Sequence, residues 1–318
     1  MQSELLALGS AVMLALGSLF VVELKGRIDA QSVARWTMLL AGTMTGTAAV
    51  VDGGWATVGQ DTLIYLAISG FFAISIAGPG YYGSIYKIGP RNTLLIFSLN
   101  APIAAIAGFL LFGERFALKE LAALGLILSG VALAVMFGEP KPKPVRALRP
   151  LVPGRRDEPV AEPRRPISWV GVGLALMAAF GQGLGNVAAK PAMAAAVDPF
   201  AAMTVRAFVG VIFLYLLLLL PFKALRPAGR MDAVTLFLIF SSAGIGMGLG
   251  ITMLMAALAD GDVGIMSTLG AMTPVAVLPL VWARTGIAPP LPAWIGAFLA
   301  VTGTAVLFIS GCIGKVCI

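Results

Sequence analysis

The sequence predicts an all-α membrane protein with ten transmembrane helices arranged as two inverted five-helix repeats. Three observations carry that prediction. Of 318 residues, 59% are hydrophobic and 12% are charged, where soluble domains carry about 25% charged residues, and mean hydropathy is +0.95. Ten apolar segments each reach the length of about 20 residues that a helix needs to cross about 30 Å of hydrocarbon. The segments also fall into two sets of five that resemble each other at an offset of about 172 residues.

The segments run at about 5–24, 33–51, 62–86, 92–112, 119–137, 168–189, 201–221, 233–257, 264–283 and 293–311, and none has a charged residue near its centre. In lipid the backbone polar groups must be satisfied within each segment, so apolar runs of this length form helices, not strands. The 38 glycines are about 12% of the chain against an ordinary level of about 7%, as expected where helices pack backbone to backbone. Met1 to Leu16 is apolar without a basic start or a following cleavage site. The first segment is therefore expected to be retained as a helix, not removed as a signal peptide.

Glu139 to Pro166 is the one long polar stretch, with eight basic residues, four acidic residues and eight prolines. Such a composition neither buries a core nor sustains a helix. It divides the chain into a first repeat at 1–138, a basic Pro-rich linker at 139–167, a second repeat at 168–311 and a tail at 312–318. Arg35 opens the second segment as Arg206 opens the seventh, Asp61 precedes the third as Asp232 precedes the eighth, Pro102 matches Pro274, and Gly130 matches Gly303. Five spans is an odd number, so the halves insert with opposite orientation, a hallmark of alternating-access carriers.

The face bearing the N-terminus holds only Arg115, Lys119, Lys190, Arg206 and Lys315 of the 22 Lys and Arg. The positive-inside rule then places the termini outside and the linker in the cytoplasm. The net charge of +7 thus reads as membrane topology, and nucleic acid is not an expected partner.

There is no His, and Cys312 and Cys317 are the only cysteines. Imidazole metal sites, His-ligated haem and Ser-His-Asp or Cys-His catalysis are thereby excluded. No enzyme activity, cofactor or metal is predicted. The two cysteines read as incidental terminal thiols, with pairing or metal binding as the alternative. The run from Gly244 to Gly250 has the look of a phosphate loop but lies inside an apolar span, so its small residues four apart, Gly244/Gly248 and Gly246/Gly250, form helix-packing faces instead.

Tyr81 to Phe112 reads YYGSIYKIGPRNTLLIFSLNAPIAAIAGFLLF and continues GERFALKELAALGLILSGVALAVMF, with a mid-span Pro102, a Gly113-Glu114-Arg115 turn and a closing Gly130. The second half repeats this outline with Pro274 and Gly303, although Gly286 stands where Glu114 would. This pattern resembles the EamA-type module of the drug/metabolite transporter superfamily. Leu16-Gly17-Ser18 and Gln182-Gly183-Leu184 occupy the place of its Trp-Gly-rich first helix, both without the Trp, and Lys190 matches its usual Lys. The resemblance implies ten helices, a central cavity between the halves, and export of amino acids, related metabolites or drugs from the bacterial cytoplasmic (inner) membrane. Such proteins are drawn with cytoplasmic termini and basic residues between helices two and three, and 51–61 has no basic residue here.

Several residues are candidates for substrate contact. Gln182 and Asn186 are one helical turn apart and form a polar stripe that should face the protein interior, because lipid-facing amides are costly. Ser18, with Glu23 near the end of the span, is the counterpart on the first helix. Asn100 places an amide beside Pro102, and either binds substrate or bonds across to another helix. Pro102 and Pro274 each remove a helix hydrogen bond near mid-membrane, as hinges or as packing kinks, and free a carbonyl for a neighbour or a ligand. Tyr82, with Tyr81 and Tyr86, either lines the cavity or belongs to an interfacial aromatic belt. Arg35 and Arg206 either snorkel to headgroups or turn a guanidinium inward toward a carboxylate substrate. Glu114 reads as a cap and turn residue. With every acid at or near a span end, coupling through a buried carboxylate is not expected.

The function that follows is alternating-access transport of a small organic metabolite in the lipid bilayer, with a homo-oligomer or complex partner left open. The alternative is a non-transporting membrane scaffold or accessory subunit, which should have a filled centre.

Overall fold

The computed structural model describes residues 2–24, 26–114, 116–137, 168–219, 229, 231–285 and 288–314. The linker at 139–167, Arg115, Gly286 and the tail beyond Gly314, with Cys317, lie outside the described residues. No strand occurs among those described, and the one β-bridge joins Ile28 to Gly229.

The helices are α1 (Gln2–Leu24), α2 (Ala30–Val51), α3 (Gln60–Ile88), α4 (Asn92–Phe112), α5 (Leu118–Phe137), α6 (Trp169–Ala194), α7 (Pro199–Leu219), α8 (Ala233–Asp260), α9 (Val263–Leu280) and α10 (Leu291–Gly314). These are the ten segments expected. Eight of them are long and apolar enough to cross a membrane, and α10 adds an apolar stretch over Leu291–Val306. The remaining helix, α2, is diluted by Arg35 and four threonines. Its end near the linker-side turns is fixed by Asp29, whose carboxylate accepts from the N–H groups of Gln31 and Ser32. Asp198 and Asp232 cap α7 and α8 in the same way. At the other end of α4, Gly113 closes the helix in the left-handed region at φ 67°, where glycine carries no Cβ penalty.

Four helices are irregular, in matched pairs. The third and eighth contain π-helical stretches at Phe71–Ile76 and Ser242–Gly250. The fourth and ninth are broken by turns at Ser98-Leu99 and Ala271-Met272, immediately before the segments that carry Pro102 and Pro274. In lipid such departures persist only where neighbouring protein re-satisfies the backbone.

The packing repeats across the halves. Helix α1 lies on α8 as α6 lies on α3, while α2 pairs with α7, α4 with α9 and α5 with α10. Water expulsion does not drive helices together in lipid, so close backbone approach must supply the dispersion energy. At Gly17 an added Cβ would fall 2.5 Å from the Cα of Gly246, and at Gly130 one would fall 2.5 Å from the amide nitrogen of Ala300. The glycine run of α8 divides as its spacing predicts: Gly246 and Gly250 meet α1, while Gly244 and Gly248 face Met44 and Thr45 of α2.

Candidate functional site

The α6 stripe forms a chain of side-chain hydrogen bonds inside the bundle. Gln182 Nε2 donates to Asn186 Oδ1 at 3.0 Å, and Asn186 Nδ2 donates to Ser267 Oγ on α9 at 3.1 Å. Asn186 and Ser267 are both buried. Ser267 escaped the sequence reading, although a Ser-Thr pair within an apolar span was a visible signal. Asn100 joins the same region: its carbonyl oxygen lies against Gly183, where an added Cβ would approach to 2.9 Å.

The side-chain amide of Asn100, however, donates to the carbonyl of Phe97 at 2.6 Å, so it stabilises the break in α4. The carbonyls that the prolines free are met locally. Ser98 O accepts from the N–H of Ala101 at 3.2 Å, and Gly270 O accepts from the Thr273 hydroxyl at 3.0 Å. A tighter backbone turn thus replaces the lost bond at Ser98 and a side-chain hydroxyl replaces it at Gly270, so each freed carbonyl has a partner within the protein.

Tyr82 is not brought to the amides. It is buried among Leu24, Val33, Ala34, Leu214 and Leu238 in a separate apolar cluster. The aromatic-belt reading fails for it too, since the ring is 2% exposed and meets Tyr81 edge to face at 5.5 Å. Only Tyr86 reaches the turn before α2, donating its hydroxyl to Ile28 O at 3.0 Å. Ser18 donates to the carbonyl of Ala15 on its own helix at 2.7 Å. Glu23 is buried despite its terminal place, because the turn it leads into is itself buried at Ile28 and Ala30.

Both arginines turn inward, which overturns the headgroup reading. Arg35 is 4% exposed and Arg206 1%. Arg35 donates from Nη2 to Ser32 Oγ at 2.7 Å. Arg206 Nη1 points to the sulfur of Met255 at 2.7 Å, and its Nε has no hydrogen-bond partner. Two consecutive residues of α3 connect Arg206 to the amide region. Ser69 Oγ donates to Gly185 O at 2.6 Å, and an added Cβ on Gly70 would fall 2.7 Å from the carbonyl oxygen of Arg206.

One end of the bundle is laced by polar contacts within the second half and across the halves. Lys190 Nζ donates to the carbonyls of Leu258, Ala259 and Gly261 at 2.8, 3.3 and 2.7 Å, a cation at the C-terminus of α8 as the helix dipole favours. Glu114 Oε1 accepts from the N–H of Val263 at 2.7 Å and Oε2 from that of Gly264 at 3.4 Å. Glu114 is therefore a cap, as expected, but of a helix in the opposite half. Burial pushes its carboxyl above the ordinary range, against the opposing pull of these two donors. Nearby, the Thr57 hydroxyl accepts from the N–H of Asp198 at 2.8 Å. At the other end, half-buried Arg27 and exposed Asp232 face each other at 3.7 Å, beside the bridge between Ile28 and Gly229.

An all-α membrane protein of two interlocked repeats, with a buried amide chain and discontinuous helices between them, is the class that this fold defines. The chain belongs to the EamA-like transporter family, whose model matches residues 1–136 and 169–309, and so to the drug/metabolite transporter superfamily. It is a multi-pass membrane protein of a transporter family, which implies a bilayer and a small-molecule substrate. A solved crystal structure of a protein 15% identical to this chain superposes with a TM-score of 0.73 over 96% of each chain, a likeness of fold. Comparison with curated proteins gives no match.

Proposed function

We propose that this protein exports small organic metabolites, amino acids or related compounds among them, across the bacterial cytoplasmic membrane by alternating access. The observation that carries the proposal is the hydrogen-bonded chain Gln182–Asn186–Ser267, which lies where broken α4 approaches α6 at Gly183 and Asn100. Carriers built from inverted repeats bind their substrates at such places, where discontinuous helices bring polar backbone and side chains to the bilayer midplane. Rocking of one half against the other would open and close the site, with the breaks ahead of Pro102 and Pro274 as hinges. The linker, in this reading, is cytoplasmic. The two repeats at 1–138 and 168–311 act as the two rocking bodies.

The test is a mass-spectrometric survey of spent medium from cells that overproduce the protein, the Gln182→Ala/Asn186→Ala variant or neither. The wild type is expected to enrich a small set of solutes in the medium and the variant to lose that enrichment while remaining in the membrane. Medium unchanged by the wild type under every growth condition would replace the carrier reading with that of a scaffold subunit.

A further inference from the structure

Arg206 lies well inside the bundle. It sits seven residues into α7, about 10 Å along the helix at 1.5 Å per residue, and its side chain is closed off from the surface at 1% exposure. A guanidinium carries five N–H donors and a permanent charge. Here one donor meets a thioether, a weak acceptor, and Nε meets nothing. No carboxylate among the described residues pairs with it.

The pseudo-symmetric counterpart shows that this is not a requirement of the fold. Arg35 occupies the matching place in α2 and is supplied with a hydroxyl acceptor by Ser32, one turn earlier. The position one turn before Arg206 is Met203, which has no such acceptor. Two equivalent cations therefore stand in one scaffold, with an acceptor built in beside one and not beside the other. Buried ionisable groups in membrane proteins are paired with one another, with backbone carbonyls or with a cargo. An uncompensated one inside a transporter points to a partner that comes and goes.

We propose that Arg206 is the anion receptor of the transport site and binds a carboxylate of the carried metabolite. This rests on the carrier reading above. The free Nε edge of a guanidinium matches the two oxygens of a carboxylate in a fork of parallel hydrogen bonds. A single uncompensated charge suits a monoanionic group: two other cations of the bundle are already engaged, Arg35 with Ser32 and Lys190 with three carbonyls. Met255 is flexible and polarizable, and its sulfur holds the place of the absent oxygen. Ser69 and Gly70 on α3 bring the backbone of α7 at Arg206 and the backbone of α6 at Gly185, next to Asn186, onto one stretch of helix, and the α6 amides would take the neutral part of the same molecule.

The experiment uses the full-length protein in proteoliposomes loaded with an equimolar mixture of gluconate, L-alanine, L-alaninamide and putrescine, with efflux of each followed by mass spectrometry. Efflux of the carboxylate-bearing probes is expected, with at least a tenfold loss in Arg206→Gln and a partial loss in Arg206→Lys, which keeps the charge and not the fork. Size-exclusion profiles of both variants report whether they fold, and the lysine variant keeps the test decisive if the glutamine variant does not. Efflux confined to L-alaninamide and putrescine, carboxylate efflux equal in wild type and both variants, or no efflux of either carboxylate would each overturn the assignment. The carrier reading is judged separately by the medium survey, so it can survive the loss of this inference.

Discussion

The carboxylate of Glu114, in the turn after α4, accepts the backbone N–H of Val263 at 2.7 Å and so caps a helix 149 residues away in the other half of the molecule. Asp262, which sits at the N-cap position of that helix, makes no side-chain capping bond of its own. The first turn of α9 therefore depends on a residue of the first repeat, and Gly108 leaves the room that the carboxylate occupies, since an added Cβ there would collide with Oε2.

Glu114→Ala is expected to destabilise the protein by about 1–3 kcal/mol, because it leaves two buried N–H groups unsatisfied. Unfolding in detergent, followed by intrinsic fluorescence, measures this. Glu114→Gln keeps one acceptor oxygen and should cost less. The two variants should also differ from wild type in pH dependence. Burial raises the folded carboxyl above its ordinary value of 4.5, so folding takes up a proton over the interval between the two values. Stability is full below 4.5 and falls as pH rises through the folded value. A wild-type profile flat across that interval, or a Gln variant that keeps the slope, would contradict the assignment.

Lys190 should hold the turn between α8 and α9 shut. Lys190→Met removes a charged donor from three carbonyls, each such bond contributing about 1.5–3 kcal/mol. Amide hydrogen exchange over 258–264 is expected to speed up by tenfold or more, since about 1.4 kcal/mol corresponds to a factor of ten in the opening equilibrium. Exchange indistinguishable from wild type would mean that other contacts hold this turn.

Two glycines of α5 make a matched pair. Gly130→Ala forces a Cβ to 2.5 Å from both Ala300 N and Gly296 O, and the backbones of α5 and α10 must separate at a cost of about 1–3 kcal/mol. Gly125→Ala meets nothing within 4 Å and should gain about 0.5–1 kcal/mol from the lower entropy of the unfolded chain. Thermal midpoints that shift in the same direction for both variants would refute this account of the α5–α10 seam.

The hydrogen bond between Asn186 and Ser267 can be weighed by a double-mutant cycle. Asn186→Ala and Ser267→Ala are expected to couple by about 0.6 kcal/mol and by no more than about 1.7. Zero coupling in unfolding measurements would show that the two side chains find other partners when separated.

The ten helices were legible because the bilayer imposes a length and an apolar composition that hydropathy reads directly. The pseudo-repeat was legible from Arg35 and Arg206, Asp61 and Asp232, and the paired prolines. Gln182 and Asn186 could be placed on one interior stripe by their spacing alone. Ser267 could not be joined to them, because which faces of α6 and α9 meet depends on how two helices far apart in the chain are rotated against each other. For the same reason the sequence left Tyr82 between the cavity and an interfacial belt, and the packing places it in a separate apolar cluster.

What the sequence by itself determined was the class of fold, its division into two repeats and which polar residues lie within the spans, since each follows from composition, the internal repeat and local periodicity. The tertiary structure decided what those residues touch. It turned Arg206 away from the headgroups, spent the amide of Asn100 on its own helix and carried Glu114 across to α9. The physical reason is range: a hydrophobic span is satisfied by any apolar neighbour, whereas a buried charge or amide must meet a particular atom, and the position of that atom is set by the packing of both halves.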